Sequence, residues 1–223
     1  MADTAVREPL LGKKNRKLLS DPLNDNNPIT VQVLGICSAL AVTSTLANSI
    51  MMSMAVVAVT AFANLIIASV RNYVPTRVRM IVQLVVIASL VIVVRELLNA
   101  FAYPLYKELA VFVGLIITNC IIMGRLEAFA MGNKPWPAFL DGVGNGVGYG
   151  IVLIAVGFVR EIFGFGTLSL PFVSGKLQVI PEFIYNAGYV NNGIMVLPLS
   201  SIFLIGIFIW LQRAWNSKLV DVS

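Results

Sequence analysis

Long uncharged stretches separated by short polar segments dominate this chain. No charged residue occurs from Val31 to Val70, and a helix of that length would extend roughly 60 Å, about twice the thickness of the hydrocarbon core of a bilayer. The polar run at residues 43–49 therefore indicates a turn between two crossings. Continued along the chain, the same pattern predicts six membrane-spanning helices, at about residues 31–47, 53–70, 80–98, 109–124, 143–163 and 194–212.

Composition supports an all-α polytopic membrane protein. Hydrophobic residues make up 58% of the chain and charged residues 12%, whereas soluble domains carry about 25% charged residues. We expect a single membrane domain over residues 29–213. A polar N-terminal tail of residues 1–28, expected to be a mobile cytoplasmic arm, precedes it, and a short cytoplasmic tail of residues 214–223 follows it.

The positions of lysine and arginine predict the orientation of the helices. Five lie in the N-terminal tail, three in the loop at 71–79, two in the loop at 125–137 and two after the last helix, and all of these segments share one side. Lys107 and Lys176 fall on the other side, where Arg95 and Arg160 lie near helix ends. Because basic residues accumulate on the cytoplasmic side of a membrane, both termini are predicted to be cytoplasmic.

The two cysteines occupy similar places in the two halves of the chain. Cys37 lies in the first predicted helix and Cys120 in the fourth, which divides the domain into repeats at about 31–98 and 109–212. With three helices in each repeat, the second repeat must run through the membrane in the opposite direction. Inverted repeats hold functional sites near the bilayer midplane on interrupted helices, and both cysteines are expected near that depth.

Cys37 and Cys120 are candidate metal ligands, since thiolates favour iron–sulfur clusters, zinc or Cu(I). Two cysteines cannot complete a four-thiolate site alone, and the chain contains no histidine, which excludes histidine ligation of haem or zinc. A disulfide, or packing of each cysteine as a small hydrophobic residue, are the competing interpretations, because cysteines 83 positions apart form no local ligand motif.

Three segments carry a family resemblance: residues 27–43 (NPITVQVLGICSALAVT), 111–125 (VFVGLIITNCIIMGR) and 139–150 (FLDGVGNGVGYG). They closely resemble the D-type membrane subunits of sodium-translocating NADH:quinone oxidoreductases, a family with similar members in Rnf complexes. The likeness extends from about residue 26 to residue 213. It implies six helices in two inverted halves, paired with a homologous E-type subunit of opposite orientation.

The resemblance also implies a cofactor and partners. Cys37 and Cys120 match the positions at which the family binds a [2Fe-2S] cluster shared with the E-type subunit, in the middle of the membrane. The cluster would relay electrons across the bilayer between flavins, coupled to export of Na+. NADH, FAD, FMN, riboflavin and quinone are then expected on other subunits of a complex in the bacterial inner membrane, and this chain would not be catalytic alone.

The glycine-rich segment at residues 142–150 does not match a dinucleotide-binding fingerprint, which needs G-x-G-x-x-G after a strand. Gly142, Gly146 and Gly150, and likewise Gly144 and Gly148, follow a small-x-x-x-small spacing. This spacing is typical of close helix packing in membranes. NADH is therefore not expected to bind here.

Asp141, Glu96 and Glu161 are candidate residues of an ion pathway. Asp141 lies at the predicted start of the fifth helix, where a helix cap is the simpler interpretation and approach of Na+ to a carboxylate the functional one. Glu96 and Glu161 each follow an arginine near the end of a helix, where a charged residue either reaches the interface or has a function. The family often carries an aspartate where this chain has Arg95, and Glu96 is the neighbouring acid that can take its place.

Two alternative functions fit the same sequence. One is an Rnf-type subunit with ferredoxin as the electron partner, and the other is a small secondary transporter whose cysteines only pack. Each of them would lie in membrane lipid. No nucleic-acid-binding motif occurs, and the net charge of +5 is explained by membrane topology.

Overall fold

The computed structural model describes residues 13–23, 26–101, 112–169, 177–178 and 193–215. Over these ranges the regular structure is helical, apart from one antiparallel pair of two-residue strands, β1 (Thr167–Leu168) and β2 (Leu177–Gln178). A 3-10 turn covers Asp21–Leu23 and a π-helical turn covers Leu126–Ala130. The helices are α1 (Lys13–Ser20), α2 (Ile36–Val42), α3 (Leu46–Val70), α4 (Arg79–Phe101), α5 (Val113–Ile117), α6 (Cys120–Arg125), α7 (Pro135–Phe165), α8 (Gly193–Val196) and α9 (Pro198–Trp215).

Four of the described helices are long and apolar enough to cross a membrane. The predicted helical membrane architecture is confirmed to this extent. The predicted loop near residue 104, most of the segment at 164–193, and residues 1–12 and 216–223 lie outside the described part of the chain. The four stretches that qualify are Leu46–Val70, Arg79–Leu97, Pro135–Phe165 and Pro198–Trp215.

The helix predicted over residues 31–47 is not continuous. Val33 and Gly35 have left-handed backbone conformations, with φ angles of 58° and 79°, and a right-handed helix cannot pass through such residues. Helix α2 therefore begins only after Gly35. Its 7 residues extend roughly 10 Å, which is about a third of the hydrocarbon core.

A short turn at residues 43–45 separates α2 from α3. Thr43 Oγ1 donates a hydrogen bond of 2.6 Å to the Ala39 carbonyl at the end of α2. Thr45 Oγ1 accepts a hydrogen bond from the backbone N–H of Asn48 at 3.4 Å and so caps the start of α3. The turn is thus shorter than predicted, because Asn48 and Ser49 belong to α3.

The fourth predicted helix, at residues 109–124, is interrupted in a similar way. Thr118 and Asn119 separate α5 from α6, and Asn119 has an extended backbone conformation with φ −69° and ψ 118°. Asn119 Oδ1 accepts a hydrogen bond of 3.3 Å from the backbone N–H of Ile121. Both predicted helices that carry a cysteine therefore contain a break next to it.

Helices α3 and α7 pack in antiparallel directions through the glycine-rich face of α7. A Cβ atom on Gly142 would lie 2.9 Å from the Cα of Ala61, and one on Gly146 would lie 2.8 Å from the Cα of Val57. Only glycine permits the two backbones to come this close, and such close approach is what stabilises helix pairs in lipid. The prediction of tight packing from the glycine spacing is confirmed.

The other two spaced glycines of α7, Gly144 and Gly148, contact the N-terminal segment instead of α3. A Cβ atom on Gly144 would lie 2.8 Å from the Leu18 carbonyl oxygen, and one on Gly148 would lie 2.5 Å from that of Pro22. Asn27 Nδ2 donates a hydrogen bond of 3.1 Å to the Gly148 carbonyl. Residues 13–23, predicted from the sequence to belong to a mobile arm, thus form a helix and a turn packed on α7.

Candidate metal centre

Cys37 and Cys120 line the same small pocket. Cys37 is the second residue of α2 and Cys120 the first residue of α6. Both side chains are exposed and neither forms a disulfide, so the geometry favours neither the disulfide nor the core-packing interpretation. The other residues lining the pocket are Gly35, Ser38, Leu115, Thr118 and Asn119.

The two breaks in the helices place the cysteines. Gly35 precedes α2 and Asn119 precedes α6, so each thiol lies in the first turn of a short helix. The two breaks therefore bring both thiols to one pocket.

Tyr149 of α7 supports the Cys37 side of the pocket. Its side chain is fully buried, and its hydroxyl lies 2.7 Å from Ser38 Oγ. Ser38 Oγ donates to the Gly35 carbonyl at 2.9 Å, so the Tyr149 hydroxyl is the donor to Ser38. A Cβ atom on Gly35 would lie 3.0 Å from the Tyr149 ring, which explains, together with the positive φ, why glycine stands there.

Asn119 supports the Cys120 side and has an unused donor. Because the backbone N–H of Ile121 can only donate, its bond to Oδ1 fixes the orientation of the Asn119 amide. Nδ2 is buried and has no hydrogen-bond partner among the described residues. A buried donor without an acceptor costs about 1–3 kcal/mol, so Nδ2 is suited to an acceptor that the described residues do not supply.

These groups fit one half of an iron–sulfur site. Two thiols and a buried amide donor line the pocket, but no group of three or more His, Cys, Asp or Glu residues that could hold a metal occurs within the described residues. The pocket encloses about 30 Å³, which holds about one water molecule. A larger group would extend beyond the surface of this chain, and a second molecule would supply its remaining ligands.

Asp141 forms a buried ion pair separate from this pocket. Its Oδ2 accepts a hydrogen bond of 3.0 Å from Arg125 Nε, and its Oδ1 accepts from Arg125 Nη2. Asn145 Nδ2 donates to Oδ1 at 3.1 Å. Since α7 begins at Pro135, Asp141 lies within the helix, and the interpretation of Asp141 as a helix cap is wrong.

Replacing Arg125 with leucine is expected to destabilise the protein by about 3–5 kcal/mol, because it leaves the Asp141 carboxylate buried without its cation. Thermal unfolding of the purified protein in detergent measures this loss. Adding Asp141→Asn to the variant should restore much of the stability. As a control, Arg79→Leu removes a more exposed ion pair with Glu127 and is expected to cost at most about 1 kcal/mol; equal losses in the two single variants would contradict the prediction.

Arg160 and Glu161 lie near the C-terminal end of α7. They contact the turn between α2 and α3, the segment after α7 and the end of α8. Both residues are buried. Glu161 Oε2 accepts from the backbone N–H of Leu46 at 2.6 Å, and Oε1 from that of Ser169 at 2.7 Å. The Glu161 carboxylate therefore caps α3, where the helix dipole favours negative charge.

The Arg160 guanidinium donates hydrogen bonds to a hydroxyl and to backbone carbonyls, and the structure shows no carboxylate partner for it among the described residues. Its Nη1 donates to Thr43 Oγ1 at 2.7 Å, while Nε and Nη2 donate to the carbonyls at the end of α8 and just beyond it. Arg160 and Glu161 are enclosed by these elements and are not exposed at the surface of the described protein. The three carbonyl acceptors are those of Met195, Val196 and Leu197.

The three candidate acids are not brought together. Glu96 is exposed on α4, whereas Asp141 and Glu161 are buried towards opposite ends of α7. No acidic cluster joins them within the described ranges. Both oxygens of each buried carboxylate accept hydrogen bonds from the protein, so neither is an open ion site in this conformation.

Two contributors to these sites were not predicted from the sequence. Arg125 was assigned to a loop, and its pairing with Asp141 across a turn carries no sequence signal. Tyr149 was passed over within the glycine-rich segment. A tyrosine in the middle of a long apolar helix needs a hydrogen-bond partner when buried, and that requirement was the available signal.

Comparison with known proteins places these features in a family. Residues 15–209 match the family described as Rnf-Nqr subunit, membrane protein. The D subunit of the Na(+)-translocating NADH-quinone reductase of Shewanella sp. (strain W3-18-1) is 52% identical over 211 residues, which cover 95% of this chain and 98% of the relative. The corresponding proteins of Shewanella putrefaciens (strain CN-32) and Shewanella baltica (strain OS155) are 52% and 51% identical over the same coverage.

Proposed function

Because this chain belongs to the Rnf-Nqr family of membrane subunits, we propose that it is the D-type subunit of a sodium-translocating NADH:quinone reductase in a bacterial inner membrane. The similarity to proteins named as D subunits, over nearly the whole length of both chains, supports this assignment over an Rnf-type subunit. The observation that carries the redox role is the pair of exposed thiols at one incomplete pocket. A transporter that used its cysteines only for packing would not need to expose them there.

In this proposal Cys37 and Cys120 hold one side of a [2Fe-2S] cluster, and two cysteines of the homologous E-type subunit hold the other. A cluster of this kind accepts one electron and passes it on. The part of this chain is to fix the two thiolates at the starts of α2 and α6 and to close one side of the site against water.

The proposed topology has six crossings in two inverted halves. The antiparallel pair of α3 and α7, and the matching breaks before Cys37 and Cys120, support a two-fold relation between the halves. Short half-helices at the site are tolerated because irregular backbone in a membrane is stable where other protein segments satisfy its polar groups. The distribution of basic residues supports cytoplasmic termini.

The remaining cofactors belong to partner subunits in this proposal. This chain carries no dinucleotide-binding fingerprint, since its glycines serve helix packing, so NADH, FAD, FMN, riboflavin and quinone are assigned to other subunits. The exposed apolar faces of α4 and α9, whose most apolar windows are only 17% buried, are available to those subunits and to lipid.

Sodium movement is proposed to involve Asp141, Glu96 and Glu161. Asp141 is the strongest of the three, because its buried carboxylate accepts a hydrogen bond from Asn145, whose Oδ1 atom has no hydrogen-bond partner among the described residues. Oxygen atoms of this kind are the ligands of hard cations. Release of Arg125 from Asp141 would be needed before the carboxylate could meet an ion.

Iron analysis and electron paramagnetic resonance of the purified, reduced complex test the proposal. Cys37→Ser and Cys120→Ser are each expected to lose about two irons per complex, together with one cluster signal. Ser69→Ala serves as the control, because Ser69 is exposed and its hydroxyl only donates to the Leu65 carbonyl. Full iron and an unchanged spectrum in either cysteine variant would overturn the proposed cluster.

A further inference from the structure

We propose that Asn119 is a positioning residue that donates a hydrogen bond from Nδ2 to a sulfur atom of the group held by Cys37 and Cys120, and thereby raises the reduction potential of that group. The inference rests on the proposed function, since it needs a cluster at this pocket. It concerns the one buried side-chain donor of the pocket that has no hydrogen-bond partner among the described residues.

The position of the Asn119 amide is set by the protein itself. Oδ1 holds the backbone N–H of Ile121 at 3.3 Å and would lie 3.5 Å from a Cβ atom on Gly35. Asn119 therefore touches both helix breaks, the one before Cys37 and the one before Cys120. With 3% of its surface exposed, it cannot turn its donor to bulk water.

The neighbouring side chains do not take up the donor. The Tyr149 hydroxyl lies close to the Asn119 amide, but it donates to Ser38 at 2.7 Å and forms no hydrogen bond of normal geometry with Nδ2. Nδ2 carries two hydrogens, so a weak contact with this hydroxyl would still leave one for another acceptor. Thr118, which also lines the pocket, donates its hydroxyl to the Gly114 carbonyl at 3.2 Å. The acceptor that fits Nδ2 is thus a sulfur atom in the pocket.

A hydrogen bond to a cluster sulfur raises the reduction potential of the cluster. Reduction adds negative charge to the cluster and its sulfur atoms, so a donor stabilises the reduced form more than the oxidised form. Hydrogen bonds to sulfur are among the factors that set cluster potentials, and such outer groups also orient the ligands. Removal of the Asn119 donor should therefore shift the potential to a more negative value.

The test is a redox titration, followed by electron paramagnetic resonance, of the whole purified complex. In Asn119→Ser the hydroxyl can still cap α6, but the shorter side chain cannot bring a donor to the position of Nδ2. In Asn119→Ala both the cap and the donor are lost. We expect a negative shift of the midpoint potential of similar size in both variants, with a lower melting temperature in the alanine variant.

Ser69→Ala is the control, because the exposed Ser69 hydroxyl lies outside the pocket and donates to the Leu65 carbonyl, and this variant should titrate as the original protein does. If Asn119 acts only as a helix cap, Asn119→Ser will also titrate as the original protein and only Asn119→Ala will differ, which overturns the inference. A complex without any cluster signal before substitution would instead overturn the proposed function. The two failures are therefore distinct.

Discussion

Replacing Cys37 with serine is expected to reduce NADH-driven quinone reduction by the assembled complex to background. A serine oxygen is a harder ligand than a thiolate and holds iron–sulfur clusters poorly, so the relay between flavins would be interrupted. Sodium uptake into inverted membrane vesicles should stop with it. Oxidation of NADH by an artificial acceptor should continue, because the NADH site is assigned to another subunit.

The measurement compares three rates in the same membranes: NADH oxidation with an artificial acceptor, quinone reduction and uptake of labelled sodium. Ser89→Ala is a suitable control, since Ser89 is exposed on α4 and its hydroxyl donates only to the Val85 carbonyl. Quinone reduction at the original rate in Cys37→Ser would show that Cys37 holds no relay. Loss of all three rates would instead indicate failure of assembly, which is checked by copurification of the subunits.

Gly146→Ala is expected to destabilise the protein by about 1–3 kcal/mol, the usual cost of forcing an extra carbon into a packed interface. The new Cβ would lie 2.8 Å from the Cα of Val57 and 3.0 Å from its Cγ2. Because the nearest atom is backbone, α3 and α7 must move apart along their shared length. Gly146→Leu should prevent accumulation of folded protein altogether.

Thermal unfolding in detergent measures this effect, with Gly206→Ala as the control. Gly206 lies in α9, and no described atom lies within 4 Å of a Cβ atom placed there. Alanine at 206 should be neutral or stabilising by about 0.5–1 kcal/mol, because alanine is the better helix former. Equal destabilisation at both positions would mean that the α3–α7 contact is not what requires glycine at 146.

Hydropathy and glycine spacing were sufficient to predict the long helices and the face of α7 that packs closely. Uncharged stretches identify α3 and α7, and the four-residue spacing of Gly142, Gly146 and Gly150 predicts the face that packs, because membrane helices have few other ways to approach closely. The start of α7 was nevertheless placed too late. Proline is tolerated in the first turn of a helix, and Pro135 and Pro137 therefore begin α7 instead of preceding it.

The broken helices could not be predicted by the same means. A continuous apolar run is compatible with one helix or with two short ones, and Val33 adopts a left-handed conformation that its β-branched side chain disfavours. Glycine and asparagine are residue types that often interrupt a helix, but Tyr149, which packs against the break at Gly35, is distant in the chain. The ion pair of Arg125 and Asp141 was hidden for the same reason, since tertiary contacts decide it.

Two contacts between the N-terminal part of the chain and α7 also impose an order on biosynthesis. The Asn27 contact with Gly148 joins residues 121 positions apart, and the Glu161 contact with Leu46 joins residues 115 positions apart. At a synthesis rate of about 5–20 residues per second, the N-terminal segment is made on the order of ten seconds before the surface of α7 on which it packs. The first half of the chain must therefore remain in the membrane, with the start of α3 lacking its carboxylate cap and Ser38 of α2 lacking its Tyr149 partner, until the second half has been inserted.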